Sequence, residues 1–455
     1  MALTTALEAE SAEILAAIGG MVMLLRMNIR QLPEGWAEKK LGDVCEKVEY
    51  GSSAKSKPEG KIPVLRMGNI QNGAIDWKDL VYTADQEEID KYLLKHNDVL
   101  FNRTNSDEHV GKAAIYKSER PAIFAGYLIR IHRKEDLIDA DFLNYYLNSH
   151  TTREYGKSVM SRSVNQANIN GTKLKDYPIL VPPLSEQKRI VSIVDEAFEG
   201  IDLAIANTQK NLTNAHELFE SYLNGIFTLK GDGWMEKKLG TLLDTLTDYH
   251  ANGSYETLKK NVKLLDNDGY AYMVRSTDFE NNFTNSLKYI DKHAYEFLSK
   301  SKVLGGEIII SKIGNAGKVY LMPQVDEPCS LAMNLFLLRI NPGQIRSDYL
   351  YYFLESQFGK LQISERLNGT TTKTIRKDGI RSLNVLVAPL SHQKEIVEKL
   401  DSIASETQRL EAIYRQKLAA LTELKQSILQ KAFTGELTAD TANQTTKKAE
   451  EVIAA

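Results

Sequence analysis

The chain is written twice. Gly35-Trp36-Ala37-Glu38-Lys39-Lys40-Leu41-Gly42 returns as Gly233-Trp234-Met235-Glu236-Lys237-Lys238-Leu239-Gly240, and LVPPLSEQKRIV (180–191) returns as LVAPLSHQKEIV (386–397). A duplicated chain is confined to architectures that use one unit twice, and two related units pack most simply about a two-fold-like axis. Between the anchors the copies differ freely, so the duplication keeps a frame and varies what the frame carries. A two-fold-like molecule with two different heads is expected.

At 455 residues the chain is too long for one core and fits roughly two to four domains. Its two cysteines, Cys45 and Cys329, lie far apart without a CxxC pair. A disulfide framework and a cysteine zinc site therefore lack support, and a reducing, cytoplasmic compartment is expected. The most apolar stretch, Ile14 to Leu25, is interrupted by Gly19-Gly20 and is too short to span a bilayer. Glu8, Glu10 and Glu13 precede it where a signal peptide carries positive charge. Residues 1–30 thus read as an N-terminal helical extension, and no membrane is expected as a partner.

The net charge of −3 argues against a surface that binds nucleic acid all over, but leaves room for a local basic groove. Two acid-poor stretches offer one. Residues 155–175 hold Lys157, Arg162, Lys173 and Lys175 without a carboxylate, and residues 366–377 hold Arg366, Lys373, Arg376 and Lys377, again with none.

Each repeat has the same order of parts. Short branched runs (Ile62 to Ile70, Val99 to Phe101 and Ala122 to Ile131; then Tyr272 to Val274, Glu307 to Ile313 and Leu335 to Ile340) alternate with turn residues and helical patches. The fold class is α/β in the mixed α+β sense: two tandem globules, each with its own core. Asp141 to Leu147 echoes Asp348 to Leu354, a helix with an aromatic inner face. After Pro182-Pro183 and Pro389 each copy runs into a long helix, about 42 residues or roughly 63 Å. Apolar or small residues recur at coiled-coil spacing: Ile190, Val194, Ala197, Ile201, Ala204, Ala215, Leu218, Tyr222 and Ile226, then Ile396, Leu400, Ile403, Leu410, Tyr414, Leu421, Leu424 and Ile428. Polar interruptions fall near Thr208, Asn211 and Thr407. Helices this long need a partner, and each copy supplies the other's, antiparallel, with the globules at opposite ends. The expected segments are 1–30, a first globule at 31–183, a first helix at 184–230, a second globule at 231–389, a second helix at 390–435, and a disordered tail at 436–455.

No catalytic constellation appears. Gly314-Asn315-Ala316-Gly317-Lys318 resembles half of a phosphate loop but lacks the first glycine at spacing and the hydroxyl after lysine. Glu186-Gln187-Lys188 fits half of a nuclease site, yet the repeat places His392 where Glu186 stands, and glutamate at a helix start complements the dipole. The histidines form no ligand spacing, so no metal and no catalytic residue is assigned.

The loops are polar instead, and suited to DNA: Arg, Lys, Asn and Gln read base edges, while Ser, Thr and Lys hold phosphates. The candidate contacts in the first copy are Ser52, Ser53, Lys55, Lys57, Arg66, Asn69, Asn102, Arg103, Asn105, Arg162, Asn165, Gln166, Asn168 and Lys173. In the second copy they are Arg275, Lys312, Asn315, Lys318, Thr371, Thr372, Lys373 and Arg376. Arg103 and Lys312, which follow equivalent strands, lead the set, with Arg162 and Lys373 next.

The LPEGW opening (32–36), PVLRMGNIQNG (63–73), DVLFNRTN (98–105), the twin helix starts and the closing ILQKAFTGEL (428–437) together resemble the specificity subunit of type I restriction–modification enzymes. Ala388 and His392 depart from the first copy's pattern. The resemblance implies two target recognition domains, each reading one half of a split, asymmetric double-stranded DNA site, with the helices as spacer. It also implies partners: modification subunits, two of them, carrying S-adenosylmethionine, and restriction subunits carrying ATP and Mg. This chain would hold no cofactor and would not catalyse. A coiled-coil scaffold that binds only proteins is the alternative; it explains the helices and leaves the divergent polar globules unexplained.

Overall fold

The computed structural model describes residues 32–163, 166–229 and 231–438. The expected N-terminal extension and the tail from residue 439 lie outside them. The chain divides into two compact units, one holding the residues up to Thr208 together with those from Gln416, the other Gln209–Arg415.

In the first unit the two repeat anchors bind each other. Ala37–Lys40, from the Gly-Trp motif, pairs antiparallel with Pro178–Val181, just ahead of the first long helix. Gly35 enters that strand at φ +80°, where a Cβ would also crowd Pro183 Cγ at 3.3 Å, so a left-handed glycine suits this corner. The chain that runs from one of these strands to the other forms a six-stranded sheet in the order Cys45–Tyr50, Leu128–Arg133, Asp98–Asn102, Ala113–Tyr116, Gly73–Ile75, Ile70–Gln71. Successive side chains of a strand face opposite ways, and both faces here are covered. Val99, Phe101, Ile129 and Ile131 pack against Phe142, Leu143 and Tyr146 of the helix Ala140–Asn148, while Leu100 and Leu128 pack with Leu65 and Phe124. That double burial is why the strands read as continuous apolar runs. The run Ile62 to Ile70 is not one strand: Ile62–Leu65 ends at Arg66, whose N–H donates to Asn69 Oδ1 at 2.8 Å and opens a tight turn.

The second unit repeats this plan with its own side chains. Met235–Lys238 pairs with Asn384–Val387. The sheet runs Leu243–Asp248, Leu335–Ile340, Ile308–Ser311, Val319–Leu321 under the helix Ser347–Glu355.

The long helices span Leu184–Thr228 and Leu390–Thr434. Within the first unit Ile190 and Val194 pack with Leu429, Ala432 and Phe433, and farther on Asp202 pairs with Lys425 at 2.5 Å, so the two helices run antiparallel there. Within the second, Leu223 and Phe227 pack with Val397 and Leu400, and His216 meets Glu411 at 3.1 Å: antiparallel again. One buried glutamine per copy joins helix to head. Gln187 donates to the carbonyls of Leu137 and Pro182 and accepts from Asp139 N–H. Gln393 does the same with Gln344, Ala388 and Arg346. Both are fully buried, which accounts for a repeat that keeps the glutamine while Glu186 becomes His392.

The helical seam differs from the one read in the sequence. Leu218 (66% exposed), Tyr222 and Leu424 face outward, whereas Thr208 and Thr407, polar breaks in the sequence pattern, are buried. Val194, Ile201, Thr208 and Ala215 are all buried and seven residues apart, the period that keeps one stripe of a helix covered. Thr208 fits there because its hydroxyl donates to Ala204 O at 2.7 Å, leaving no orphaned polar hydrogen.

One ionic network is buried in the first head. Arg130, 6% exposed, donates to Glu49, Asp98 and Leu93 O, and His132 also meets Glu49. Burial alone would raise the Glu49 carboxyl, but the hydrogen bonds from His132 and Arg130 outweigh it and hold the group at about 2. A glutamate in the unfolded chain titrates near 4.3, so this stabilisation is complete above about pH 4.3 and is lost as pH falls toward 2. Glu49→Gln is expected to flatten the acid limb of a denaturant-midpoint curve across that window. An unchanged acid limb would show that the network contributes nothing.

Candidate nucleic-acid interface

The turns that follow the strands Asp98–Asn102 and Ile308–Ser311 have the same backbone. Arg103 N–H donates to Tyr127 O and Lys312 N–H to Asn334 O; Arg103 O accepts from Ile169 N–H, and Lys312 O from Ile375 N–H; Gly111 N–H closes on Asn102 O, and Gly317 N–H on Ser311 O. The sequence-level equivalence of Arg103 and Lys312 therefore holds in space. Gly314-Asn315-Ala316-Gly317-Lys318 is the turn into Val319–Leu321, with Gly314 and Gly317 at φ +82° and +88°. It is the counterpart of Gly111-Lys112, not part of a phosphate loop. Lys112, burial of which lowers its pKa beside Arg153, was missed, although Gly-Lys recurs in both copies.

The leading cations are not free. Arg103 lies 4.8 Å from the Tyr50 ring and donates to Gly126 O. Lys312 pairs with Asp248 at 2.7 Å, over the Phe336 ring. Tyr50 and Asp248 are themselves equivalent, standing opposite Ile129 and Phe336 in the two sheets. A third place completes the match: Gly171 N–H donates to Tyr50 Oη, and Lys377 Nζ to Asp248 Oδ1. One set of three positions thus holds a ring, a guanidinium and a backbone amide in the first head, and a carboxylate between two ammonium groups in the second. Burial would raise the Asp248 carboxyl, and the bonds from Lys312 and Lys377 hold it below the usual aspartate value.

The other expected contacts fall into three groups. Ser52, Asn69 and Asn102 are buried and bonded to Ala54 N–H, to Asp76 and Lys78 carbonyls, and to His109 O respectively. Arg66 donates to Asp79 O, Arg275 to Asp278 and Ser286 O, Asn168 to Thr104, and Lys173 to Val159 O and Ser161. Asn105, half-buried, accepts from Ser106 N–H. These bonds shape loops, because a polar group already satisfied inside has little left to offer a base edge; Arg66 Nε and Asn102 Oδ1 alone in this group are buried without a partner among the described residues. Arg162 and Lys318 are on the surface but paired with Asp107 and Glu280. Ser53, Lys55, Lys57, Gln166, Asn315, Thr371, Thr372, Lys373 and Arg376 are exposed. Asn165 lies outside the described residues.

Beside each turn is a cleft. In the first head it is about 560 Å³ and lined by Arg66, Asn102, Asn105, His109 and Lys112. In the second it is about 510 Å³ and lined by Tyr255, Leu264, Arg275, Ile313 and Met333. Arg66 and Arg275 follow the equivalent strands Ile62–Leu65 and Ala271–Val274, each beside a parallel neighbour.

Two heads of one plan with different loops on the same backbone match what is found among known proteins. The family model for the type I restriction modification DNA specificity domain matches residues 33–214 and again 231–420. The chain belongs to that family. Among relatives in the family, the putative type I restriction enzyme MjaX specificity subunit of Methanocaldococcus jannaschii is 26% identical over 433 residues, 90% of this chain and 96% of that one. The EcoKI specificity subunit of Escherichia coli K12 is 23% identical over 437 residues, 91% of each chain. In solved structures the fold is shared with the HsdS subunit from Thermoanaerobacter tengcongensis (TM-score 0.55, 19% identity, 90% of this chain and 98% of that one). It is shared more closely with a chain from work on complex assembly and conformational transition of the type I R-M system (TM-score 0.69, 19% identity, 90% and 100%). The chain is thus a specificity subunit with two DNA recognition domains, the expected mixed α/β heads and long helices included. Among the described residues no helix is long and apolar enough to cross a membrane, and no group of three or more His, Cys, Asp or Glu could hold a metal ion.

Proposed function

We propose that the first head reads one half of a bipartite, asymmetric double-stranded DNA site and the second head the other, with the paired helices setting the unread spacer. The observation that carries this reading is the pair of equivalent turns, alike in backbone and unlike in side chains, flanked by exposed polar and basic residues. Lys55, Lys57 and Gln166 serve the first head; Asn315, Thr371, Thr372, Lys373 and Arg376 serve the second. Free lysine and arginine supply phosphate contacts and bidentate guanine contacts, and glutamine and asparagine suit adenine.

On this reading recognition occupies 31–183 and 231–389, the spacer helices 184–230 and 390–435, with an extension at 1–30 and a tail at 436–455. The chain itself is non-catalytic. Two modification subunits carrying S-adenosylmethionine dock on it, restriction subunits carrying ATP and Mg join through them, and the assembly works in the cytoplasm.

Genome-wide mapping of methylated bases in cells carrying this system tests the reading. Two different short sequences separated by an unread spacer are expected. One uninterrupted motif, or a perfect palindrome, would contradict it. Adding four residues to each helix, near Thr208 and Thr407, should lengthen the spacer by about one or two base pairs, at about 1.5 Å per helical residue and about 3.4 Å per base pair, and leave both half-sequences as they were. A protein-only scaffold would show no preference for any duplex in a gel-shift with its modification subunit.

A further inference from the structure

We propose that the second head selects its half-site through thymine methyl groups, which it receives on Ile313 and Met333. The inference rests on the DNA reading above and says what that head recognises. Ile313 follows Lys312 as Thr104 follows Arg103, and Met333 precedes Asn334 as Gly126 precedes Tyr127. At these places the first head has a buried threonine and a glycine. The second has Ile313 at 42% and Met333 at 49% exposure, lining one cleft with Tyr255 at 61% and Leu264 at 51%.

Large apolar side chains grouped on one exposed face mark a surface that is covered in use. The charges around them say by what. Ile313 pairs through its backbone with Thr374, on the loop that carries Lys373 and Arg376, exposed and without an ion pair among the described residues, and the exposed Lys259 lines the same cleft. An apolar floor with a cationic rim suits a polyanion that displays apolar groups. Duplex DNA is such a partner, because thymine alone among the four bases presents a methyl group in the major groove. The first head's cleft, lined by Arg66, Asn102, His109 and Lys112, has hydrogen-bonding chemistry instead, with Arg66 Nε, Asn102 Oδ1 and His109 Nδ1 unpartnered among the described residues. The two heads therefore divide recognition, one by polar edges and the other by methyl contact.

Deoxyuridine keeps every hydrogen bond of thymidine and removes only the methyl, which makes it the probe. The chain, assembled with its modification subunit, is titrated with duplexes carrying its mapped site and dT→dU at one position at a time. Binding is expected to fall about fourfold at one or two positions, all in one half-site, the equivalent of about 0.8 kcal/mol for a methyl group. The double variant Ile313→Ala, Met333→Ala should bind dT and dU duplexes alike there while keeping the preference for the other half-site. Both side chains are exposed, so an unchanged thermal midpoint is expected and separates a specificity change from misfolding. Indifference of the wild-type chain to dU at every position overturns the proposal, as does a half-site without an A·T pair, or a variant that stays as sensitive as wild type. Failure of the assembled chain to prefer its mapped site over random duplex would instead remove the DNA reading itself, and this proposal with it.

Discussion

Asp248→Ala should cost the second head about 3–5 kcal/mol, the usual penalty for removing one partner of a buried ion pair. The carboxylate is 7% exposed and stands between Lys312 at 2.7 Å and Lys377 at 3.1 Å, so its loss leaves two ammonium groups facing each other without an acceptor. Thermal melting should show the unit Gln209–Arg415 losing its midpoint while the other unit keeps its own. The first head indicates how to repair the damage. Its version of the same three positions is Tyr50, Arg103 and Gly171, so Asp248→Tyr with Lys312→Arg and Lys377→Gly should recover much of the loss. If the single change were as harmless as a surface substitution, within about 0.5 kcal/mol, the carboxylate would not be the keystone of that turn.

Leu400→Asp should be at least as damaging, by about 4 kcal/mol or more. Leu400 is fully buried with Leu223 and Phe227. The substitution removes a core side chain, worth about 2–5 kcal/mol, and puts an unpaired carboxylate in its place. Modification-subunit binding and DNA preference should go with it. Leu218→Asp is the matched control: that residue is 66% exposed, so the change should stay within about 0.5 kcal/mol. Equal damage from both would mean that the buried stripe of the helices had been wrongly placed.

That pair of leucines also shows where sequence reasoning succeeds and where it stops. The duplication, the mixed heads, the two long helices and the equivalence of Arg103 with Lys312 were legible because each depends on local pattern or on the register of a repeat. The phase of the helical stripe was not, since Leu218 and Thr208 differ by physical environment and a threonine can bury its hydroxyl on its own helix. The candidate contacts fared unevenly for a similar reason. Asn69, Asn102 and Lys173 have the chemistry of base and phosphate readers, but that same chemistry satisfies carbonyls inside the loops, and composition does not tell the two uses apart. Ile313 reads in the sequence only as the end of the branched run from Glu307, and Met333 carries no signal, because apolar residues are presumed to be core; the strand itself stops at Ser311. Only their exposure marks them.

The antiparallel pairing of Ala37–Lys40 with Pro178–Val181, and of Met235–Lys238 with Asn384–Val387, has a bearing on inheritance as well as on folding. Each head departs from the chain and comes back to it through one and the same hydrogen-bonded doorway. Whatever lies between can lengthen, shorten or be traded for another segment, provided it returns to that doorway, and the helix beyond begins from the same place. On the proposed reading, exchange of the segment inside one doorway would change what that head recognises and leave the strand pair and the start of the helix as they are.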